Sequence, residues 1–457
     1  MKRHWGIRLA ALALGILVCL TQAGCSFSGL EAQNLMSPPK ASMDQQGIYE
    51  LLQGDRQELT FLYPKRGNYR SAIIMRDWSG DGVSDAIGFV ALEEGGAEVN
   101  FLEKEEDQWR LAASFVNTAN QVDVVLFGDL NGDGREDVLI GWGSTAGTTG
   151  RTATVSAYLY QEGNVTEHSL STYGELTVTD FDGDGSWEVF TVDKYLAAEE
   201  EGGESLPALA HVFSWEENSF REVYTANADN SISSYSSILF GQLSQDRWGV
   251  VLDGSKADGS MTTQVFYLEN GLLKNGPPGV NTETYQNPFS RPSAATFVSQ
   301  DINGDGLVEV PVVTQLPCIP ERVSLDSTSY LVEWSVFQAP GDARTVLPAL
   351  MNMGENYWFR LPGQFSGKIS ASNDTSKRTV TYTQVVTDEE GVQLLGSPLF
   401  AIRVFTRSAW DSRGETSGFQ WLAERGDLVY GIQALTQDQG TLNAIALIRQ
   451  NFHLIGE

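Results

Sequence analysis

The sequence predicts a mainly β protein that is built from repeats and ends in a smaller domain of mixed α and β structure. Three observations favour this fold class. Glycine is abundant, with 46 of 457 residues, as expected for a chain with many tight turns. Short apolar or alternating runs are bounded by Gly and Asp, which is typical of strands and turns. One sequence pattern also recurs about every fifty residues.

The repeat is visible in four segments that share an acidic, glycine-containing stretch followed by apolar residues. They read RDWSGDGVSDAIGFV from Arg76, GDLNGDGREDVLIGW from Gly128, TDFDGDGSWEVFTV from Thr179 and QDINGDGLVEVPVV from Gln300. Their first Asp residues lie at positions 77, 129, 180 and 301, so the last interval spans two periods. The missing copy is FGQLSQDRWGVVLDG from Phe240, which aligns with the second copy but has lost the acidic positions.

A period of about 50 to 60 residues fits one four-stranded blade of a β-propeller. Since such a sheet cannot bury both of its faces alone, neighbouring sheets have to stack around an axis. The sequence therefore predicts a β-propeller of about five or more four-stranded blades over residues 46–344. A short helix is expected around Ile48–Leu52, followed by a strand near Leu59–Tyr63.

The acidic stretches share the spacing D-x-[DNS]-x-D-G-x-x-[DE]. Oxygen-bearing side chains at alternate positions of a tight turn point several oxygens at one place, and glycine lets the backbone reverse. A hard cation with roughly six to eight oxygen ligands needs such an arrangement. The predicted metal ligands are Asp77, Ser79, Asp81 and Asp85 in loop 1, Asp129, Asn131, Asp133 and Asp137 in loop 2, Asp180, Asp182, Asp184 and Glu188 in loop 3, and Asp301, Asn303, Asp305 and Glu309 in loop 4.

Two other interpretations of these loops were considered. An EF-hand requires Glu at its twelfth position, and the residues found there are Gly88, Ile140, Thr191 and Val312. The second is an Asp/Gly turn closed by its own side chains without metal. Four loops with the same acidic spacing favour a metal, because crowded carboxylates repel each other. The sequence thus predicts up to four structural Ca²⁺ sites, the weakest in loop 1, where Ser79 offers only a hydroxyl, and none in the fourth copy.

Over roughly residues 60–340 these repeats resemble the FG-GAP/VCBS repeats, which are similar to those of integrin α chains. The resemblance implies a β-propeller with calcium loops. It also implies that the residue after the second glycine of each loop offers its backbone carbonyl to the ion. Those residues are Val83, Arg135, Ser186 and Leu307.

Residues 1–24 are expected to be a signal peptide. Three basic residues precede the apolar run Leu9–Leu20, which is too short to span a bilayer comfortably. The following Cys25 makes the segment resemble a bacterial lipoprotein signal, in which this Cys becomes the first mature residue and carries lipid. The alternative is an ordinary secretory signal with a coincidental Cys. We expect a protein anchored to the outer face of the bacterial cytoplasmic membrane, with residues 25–45 as a flexible tether.

The region 345–457 lacks the repeat and is expected to form a small α+β domain. Strands are predicted at Tyr357–Leu361, Val380–Val386 and Leu399–Phe405, and a helix at Leu442–Phe452. Three tryptophans suit either a sugar-binding surface or, more commonly, a core. They are Trp358, Trp410 and Trp421.

The sequence contains none of the familiar catalytic motifs. His168, His211 and His453 are scattered, and no nucleophile elbow or phosphate-binding loop occurs. A formal net charge of −29 disfavours nucleic acid as a partner. We therefore expect a binding or scaffold module for a glycan or protein, and not an enzyme. Two alternatives stay open: a polysaccharide hydrolase or lyase on a propeller scaffold, and an envelope assembly protein whose C-terminal domain docks a partner. The oligomeric state is left open.

Overall fold

The computed structural model describes residues 43–456, except for residues 107, 144–152, 162, 199–202, 277–288, 294, 318–328 and 340–341. Within these ranges the protein is mainly β, with six antiparallel sheets and three α-helices. Cys25, the signal peptide and most of the tether lie outside the described residues, as does Cys318.

The first four sheets each contain four strands that pair in chain order. Sheet 1 consists of β1 (Ile73–Arg76), β2 (Asp85–Ala91), β3 (Ala97–Glu105) and β4 (Gln108–Asn117). Sheet 2 consists of β5 (Gln121–Gly128), β6 (Asp137–Gly143), β7 (Thr154–Gln161) and β8 (Asn164–Thr172). Sheet 3 consists of β9 (Glu175–Thr179), β10 (Glu188–Val192), β11 (Leu209–Glu216) and β12 (Ser219–Asn227). Sheet 4 consists of β13 (Ile232–Ser244), β14 (Arg247–Lys256), β15 (Met261–Glu269) and β16 (Leu272–Asn275).

The last two sheets have five strands each. Sheet 5 begins with β17 (Val310–Gln315), β18 (Ser329–Ala339), β19 (Asp342–Asn352) and β20 (Tyr357–Arg360). Sheet 6 has the order β21-β22-β23-β25-β24 and consists of β21 (Ile369–Asp374), β22 (Thr379–Thr387), β23 (Gln393–Thr406), β24 (Gln420–Arg425) and β25 (Leu428–Ala434). The final strand β26 (Phe452–Leu454) pairs with β20 and so completes sheet 5. The helices are α1 (Met43–Gln53), α2 (Arg407–Arg413) and α3 (Gln439–Gln450).

The second strand of each of the first three sheets is buried on both faces. β2, β6 and β10 have almost no exposed residue, and they read DAIGFVA, DVLIGWG and EVFTV. A continuous apolar run of this length is typical of a strand covered from both sides. In the fourth strands, β4, β8 and β12, every residue is instead exposed or half-buried. Each sheet is therefore covered near its second strand and open at its outer edge.

Apolar clusters join each sheet to the next along the chain. Sheets 1 and 2 share a cluster in which Phe101 lies 5.4 Å from Tyr158 between ring centroids. Sheets 3 and 4 share another in which Phe190 lies 5.4 Å from Phe266. Further clusters connect sheets 2 and 3, 4 and 5, and 5 and 6. The sheets thus stack in sequence order, as the repeat period predicts.

The face of sheet 1 that is turned away from sheet 2 is covered by α1. Ile48 and Leu52 are buried against Ala86 and Val90 of β2, residues that alternate along the strand with the ones facing sheet 2. The contact is close: a Cβ on Gly88 would lie 2.8 Å from Leu52 Cδ1. The helix expected around Ile48–Leu52 is confirmed. Of the strand expected near Leu59–Tyr63, only a single bridge from Phe61 to Val90 is formed.

The predicted domain boundary between residues 344 and 345 falls inside β19. The repeat ends at this boundary, but backbone hydrogen bonds and apolar contacts continue across it. Leu350 and Tyr357 of sheet 5 share one core with Tyr382 and Ile402 of sheet 6. The predicted C-terminal strands and the helix near Leu442–Phe452 are present, yet they extend the stack of sheets.

Closure of the stack into a ring is not shown. Among the described residues, none of the apolar clusters combines sheet 1 with sheet 6. The structure therefore supports several stacked antiparallel sheets of four to five strands, and the closed propeller remains a prediction.

The contact between α1 and sheet 1 yields a test of stability. Leu52→Ala should lower the free energy of unfolding by about 2–4 kcal/mol, because it removes buried methyl groups and leaves a cavity. The measurement is denaturant unfolding, with Glu50→Ala on the exposed face of the same helix as control. Equal effects of the two substitutions would contradict the docking of α1.

Candidate metal centres

Loops 1, 2 and 3 connect the first and second strands of their sheets, and loop 4 leads into β17. In each loop the first Asp closes the turn by accepting hydrogen bonds from the backbone. In loop 1 the N–H groups of Gly80 and Gly82 donate to Asp77 Oδ1 and Oδ2 at 2.8 and 2.9 Å. The sixth-position glycine makes the corresponding bond in loops 2, 3 and 4. The sequence spacing therefore corresponds to one repeated backbone geometry.

Two glycines make this geometry possible. Gly80 and Gly82 have φ values of 76° and 86°, and Gly304 and Gly306 of loop 4 have values of 77° and 88°. No atom lies within 4 Å of the place where a Cβ of Gly82 or Gly306 would be. Glycine is therefore required at the sixth position because the backbone is left-handed there, and not because space for a side chain is lacking.

The second residue of each loop anchors it to the core, a feature that the sequence reasoning did not single out. The side chains of Trp78, Leu130 and Phe181 are at least 95% buried. In loops 2, 3 and 4 the N–H of this residue donates to the carboxylate at the ninth position, at 2.8–3.0 Å. In loop 1 the third residue, Ser79, makes the bond to Asp85. The sequence feature that could have predicted this contact with the core is the apolar residue that follows the first Asp of every loop.

The side chains at the ninth position of the loops are buried although they are acids. Glu188 and Glu309 are 1% and 0% exposed. Burial raises the pKa of Glu188 to about 7; the Phe181 amide opposes this rise, and the charges of the other loop carboxylates add to it. Burial likewise raises the pKa of Glu309 and of Asp137 to about 7. At all three positions the charges of neighbouring loop carboxylates add to the rise in pKa.

Three loops bring carboxylate oxygens together. Within the described residues, three acidic side chains have one oxygen each within 4.8 Å of the others in loops 1, 3 and 4. The groups are Asp77, Asp81 and Asp85; Asp180, Asp182 and Glu188; and Asp301, Asp305 and Glu309. Asp184 is outside these groups, and its Oδ1 accepts from the Ser186 amide at 2.8 Å. Loop 2 has the same turn, but its carboxylates do not form such a group.

Of the predicted ligands without a carboxylate, Ser79 and Asn303 belong to loops with such a group, whereas Asn131 of loop 2 donates its amide to Asp133 at 3.3 Å. The Ser79 hydroxyl is buried beside the Asp85 carboxylate and opposes the rise that burial causes in the pKa of that acid. The amide of Asn303 donates to Asp305 and Glu309 at 3.0 and 3.1 Å. Loops 1, 3 and 4 therefore offer groups of oxygen donors that fit a hard metal ion.

In the fourth copy a two-residue turn stands in place of the acidic loop. β13 and β14 continue their ladder to Ser244 and Arg247 and turn through the two residues between them. The position of the buried Asp137 is taken by Val250, which is 0% exposed. Without the left-handed glycines and the buried acid, the two strands pair directly.

The other residues considered in the sequence lie apart from these loops. His168 packs edge-on against Trp215 at 5.0 Å, and His453 stacks on Trp358 at 4.3 Å. His211 lies 3.5 Å from Asp193 and 3.4 Å from Glu222, and hydrogen bonding to Asp193 raises its pKa. Trp410 is buried in a small cluster of sheet 6, whereas Trp421 is 48% exposed. The three tryptophans do not form one surface cluster of exposed rings.

No family model and no curated protein matches the chain. Several solved structures show a weak likeness. The exotype rhamnogalacturonan lyase YesX is 11% identical with a TM-score of 0.28, covering 78% of this chain and 81% of its own. Rhamnogalacturonan lyase YesW is 13% identical with a TM-score of 0.28, covering 74% and 77%. AofleA from Arthrobotrys oligospora is 12% identical with a TM-score of 0.27, covering 76% and 85%. Likeness at this level carries no argument about function.

None of the helices in the described ranges is both long enough and apolar enough to cross a membrane.

The buried acids predict an unusual pH dependence in protein stripped of metal. The folded state holds protons on Glu188 and Glu309 up to about pH 7, whereas the unfolded chain releases them near the ordinary value of 4.5. Between these values the folded state binds more protons, so its stability should fall as the pH rises. Thermal melts in chelator across this window measure the effect.

The double substitution Glu188→Gln and Glu309→Gln should reduce this dependence, because the amides do not titrate, while Asp137 keeps its own contribution. The exposed Glu389→Gln serves as control and should leave the profile unchanged. A stability of the chelated wild type that rises across the window would overturn this account of the two buried acids.

Proposed function

We propose that this protein is a calcium-binding module that presents a rigid stack of sheets to a glycan or protein ligand. The observation that carries the proposal is the convergence of three carboxylates in each of loops 1, 3 and 4.

The electrostatics favour a bound cation. Two unit charges 4.8 Å apart repel by about 3.5 kcal/mol at an effective dielectric constant of about 20. A typical hydrogen bond contributes only about 1 kcal/mol to stability. The backbone bonds to Asp77 and its equivalents therefore offset only part of the repulsion that arises when all three acids are ionised, whereas a divalent cation would remove it.

The donor set favours calcium among divalent cations. The side chains in the groups offer only oxygen, and they come from a loop of nine residues whose backbone also supplies carbonyls. Calcium accepts many oxygen ligands in flexible geometry, while Mg²⁺ demands a near-ideal octahedron and transition metals prefer nitrogen or sulfur. We expect the Asn303 amide to turn its oxygen to the ion. In place of loop 1, which the sequence predicts as the weakest site, we propose loop 2 as the weaker one, since its acids do not form a group like those of the other loops.

We further propose that the protein is a member of the FG-GAP/VCBS group and that the sheets close into a propeller. The support is the resemblance of the loop sequences, the backbone turn that the four loops share and the stacking of sheets in chain order. The metal would then fix the turn that leads into the buried second strand of a blade, and so stabilise the folded state by binding to it alone.

A binding role is favoured over catalysis by the surroundings of the described polar groups. The three described histidines all pack on aromatic rings, and one of them, His211, also lies between two acids. The ninth-position acids are held by backbone amides in the loops. We also propose that Cys25 carries lipid and holds the protein at the outer face of the cytoplasmic membrane.

Calcium should raise the melting temperature of residues 26–457, and calorimetric titration should give about three tight sites. Asp301→Ala should remove one site, because it deletes the residue that closes loop 4. Asp258→Ala is the matched control: this acid lies in the turn between β14 and β15, outside the loops, and accepts from the Ser260 amide at 2.9 Å. It should change neither the stoichiometry nor the calcium-dependent shift.

Two results would count against the proposal. Absence of any shift at millimolar calcium would leave the loops as Asp/Gly turns without metal. Turnover of a polysaccharide panel by the purified protein would replace the binding role by the hydrolase or lyase alternative.

The anchor is tested by Cys25→Ser in a bacterial host. The wild type should incorporate a clickable fatty acid and fractionate with membranes, whereas the variant should do neither. Cys19→Ser lies within the signal and should leave both unchanged. A wild-type protein recovered unlabelled from the medium would point to the ordinary secretory signal.

A further inference from the structure

The hairpin of β22 and β23 projects beyond the rest of sheet 6. β21 pairs with β22 only as far as Gln384, and β25 pairs with β23 only as far as Phe400. The ladder between β22 and β23 nevertheless continues outward to the pair of Thr387 with Gln393. We call residues 385–397 the arm. Within the described part of the chain, its two strands form a ladder with each other and with no third strand.

Four aliphatic side chains of the arm are open to solvent. Val386, Val392, Leu394 and Leu395 are 40–51% exposed. Leu394 and Leu395 are successive residues of one strand, so they lie on opposite faces of the arm. The edges of native sheets usually carry charges or Pro that prevent pairing, but β23 begins with the uncharged run QLLGS. The arm therefore has the character of a docking edge.

The backbone of Leu395 is directed at the open edge. The Asp388 amide donates to the Val392 carbonyl at 3.0 Å, so these two residues form a hydrogen-bonded pair. Hydrogen-bonded and non-hydrogen-bonded pairs alternate along antiparallel strands, which makes the pair of Val385 with Leu395 a non-hydrogen-bonded one. In agreement, the Val385 amide donates away from β23, to the Lys368 carbonyl at 2.8 Å. The N–H and C=O of Leu395 likewise point away from β22.

A strand added at this edge would lie in line with β25. The ladder of β25 ends at Phe400, and the Leu435 amide donates to the Leu399 carbonyl at 2.9 Å. Beyond that point residues 391–398 are all exposed. Leu435 is itself 43% exposed, so apolar surface continues from the end of β25 onto the arm. An extended segment antiparallel to β23 would therefore prolong the ladder that β25 begins.

The charge of the arm selects among the possible partners. Its tip carries Asp388, Glu389 and Glu390, and the arm contains no basic residue. A strand in line with β25 runs toward this tip, so basic residues at its C-terminal end would meet the three acids. A second copy of this chain has no basic residue in its own arm to offer and carries the same net charge of −29. An anionic lipid surface would be repelled as well.

We infer that the arm binds an extended segment of a partner protein, with aliphatic residues beside Leu394 and Leu395 and basic residues beside the acidic tip. The main-chain groups of Leu395 would supply hydrogen bonds for affinity, and the alternate side chains would supply specificity, as in other cases of strand addition. The inference deepens the proposed binding role, on which it rests, and does not require metal in the loops.

The test uses residues 26–457 and the peptide acetyl-Val-Thr-Val-Thr-Val-Lys-Lys-amide as probe. Fluorescence anisotropy of the labelled peptide should give a Kd below about 1 mM. The same peptide with two Glu in place of the two Lys should bind about tenfold more weakly or less, because it meets the three acids of the tip. Hydrogen exchange should slow at residues 393–397 when the basic peptide is bound.

Two variants separate the backbone contribution from the charge contribution. Leu395→Pro removes the outward N–H and should weaken binding about tenfold, while the ladder to β22, which does not use this N–H, should persist. The double substitution Glu389→Lys and Glu390→Lys should reverse the preference, so that the acidic peptide binds more tightly than the basic one. Leu272→Ala is the matched control, since Leu272 is an exposed leucine of β16, and it should change neither affinity.

The inference is overturned if neither peptide binds up to about 5 mM, or if Leu395→Pro binds as the wild type does. It is also overturned if the charge-reversed variant keeps the preference of the wild type. A dimer in sedimentation equilibrium that Leu395→Pro dissociates would assign the arm to a second copy. Flotation with phosphatidylglycerol vesicles that depends on Leu394 and Leu395 would assign it to a membrane, and either result would overturn the partner named here.

The metal proposal is scored separately on the same samples, with each measurement made in calcium and in chelator. Peptide binding that depends on Leu395 without any calcium response would support this inference and contradict the metal sites. A calcium-dependent rise in melting temperature without peptide binding would do the reverse.

Discussion

The burial of one carboxylate at the start of a strand is the constraint on which the loops depend. Asp85, Asp137 and Glu188 are each the first residue of a second strand, and that strand is covered on both faces by neighbouring sheets. An ionised carboxylate in such a place is costly unless it is paired. Around this carboxylate the loop places a backbone amide and further acidic side chains. The amide compensates the buried charge in part, and the further acids increase the need for a cation.

Sheet 4 shows what happens when this constraint is absent. Val250 takes the place of the buried acid, and β13 and β14 pair up to a two-residue turn. The sheet still stacks between its neighbours, because its apolar residues are retained. The acidic loop is therefore not required to form a sheet of this kind. Its contribution is local, at the turn into the second strand.

Much of the fold follows from patterns that act over short distances. The apolar runs after each loop became β2, β6 and β10, and the glycines at the fourth and sixth positions adopt the left-handed conformation. The position of β26 was not predictable, since a strand of three residues from the C-terminal end pairs with β20 only through contacts distant in sequence. For the same reason the end of the repeat at residues 344 and 345 does not mark a domain boundary in the sequence, since it falls inside β19 and the stack of sheets continues beyond it.

The sequence by itself determined where the acidic loops lie and which side chains belong to them, because a turn of nine residues is closed by its own aspartates and glycines. Only the tertiary structure decided which loops gather their acids. Loops 1, 3 and 4 do so and loop 2 does not, although the motif is shared. Only the tertiary packing decided that Trp421 is exposed while Trp410 is buried. Exposure is set by the element that covers a residue, and that element is remote along the chain.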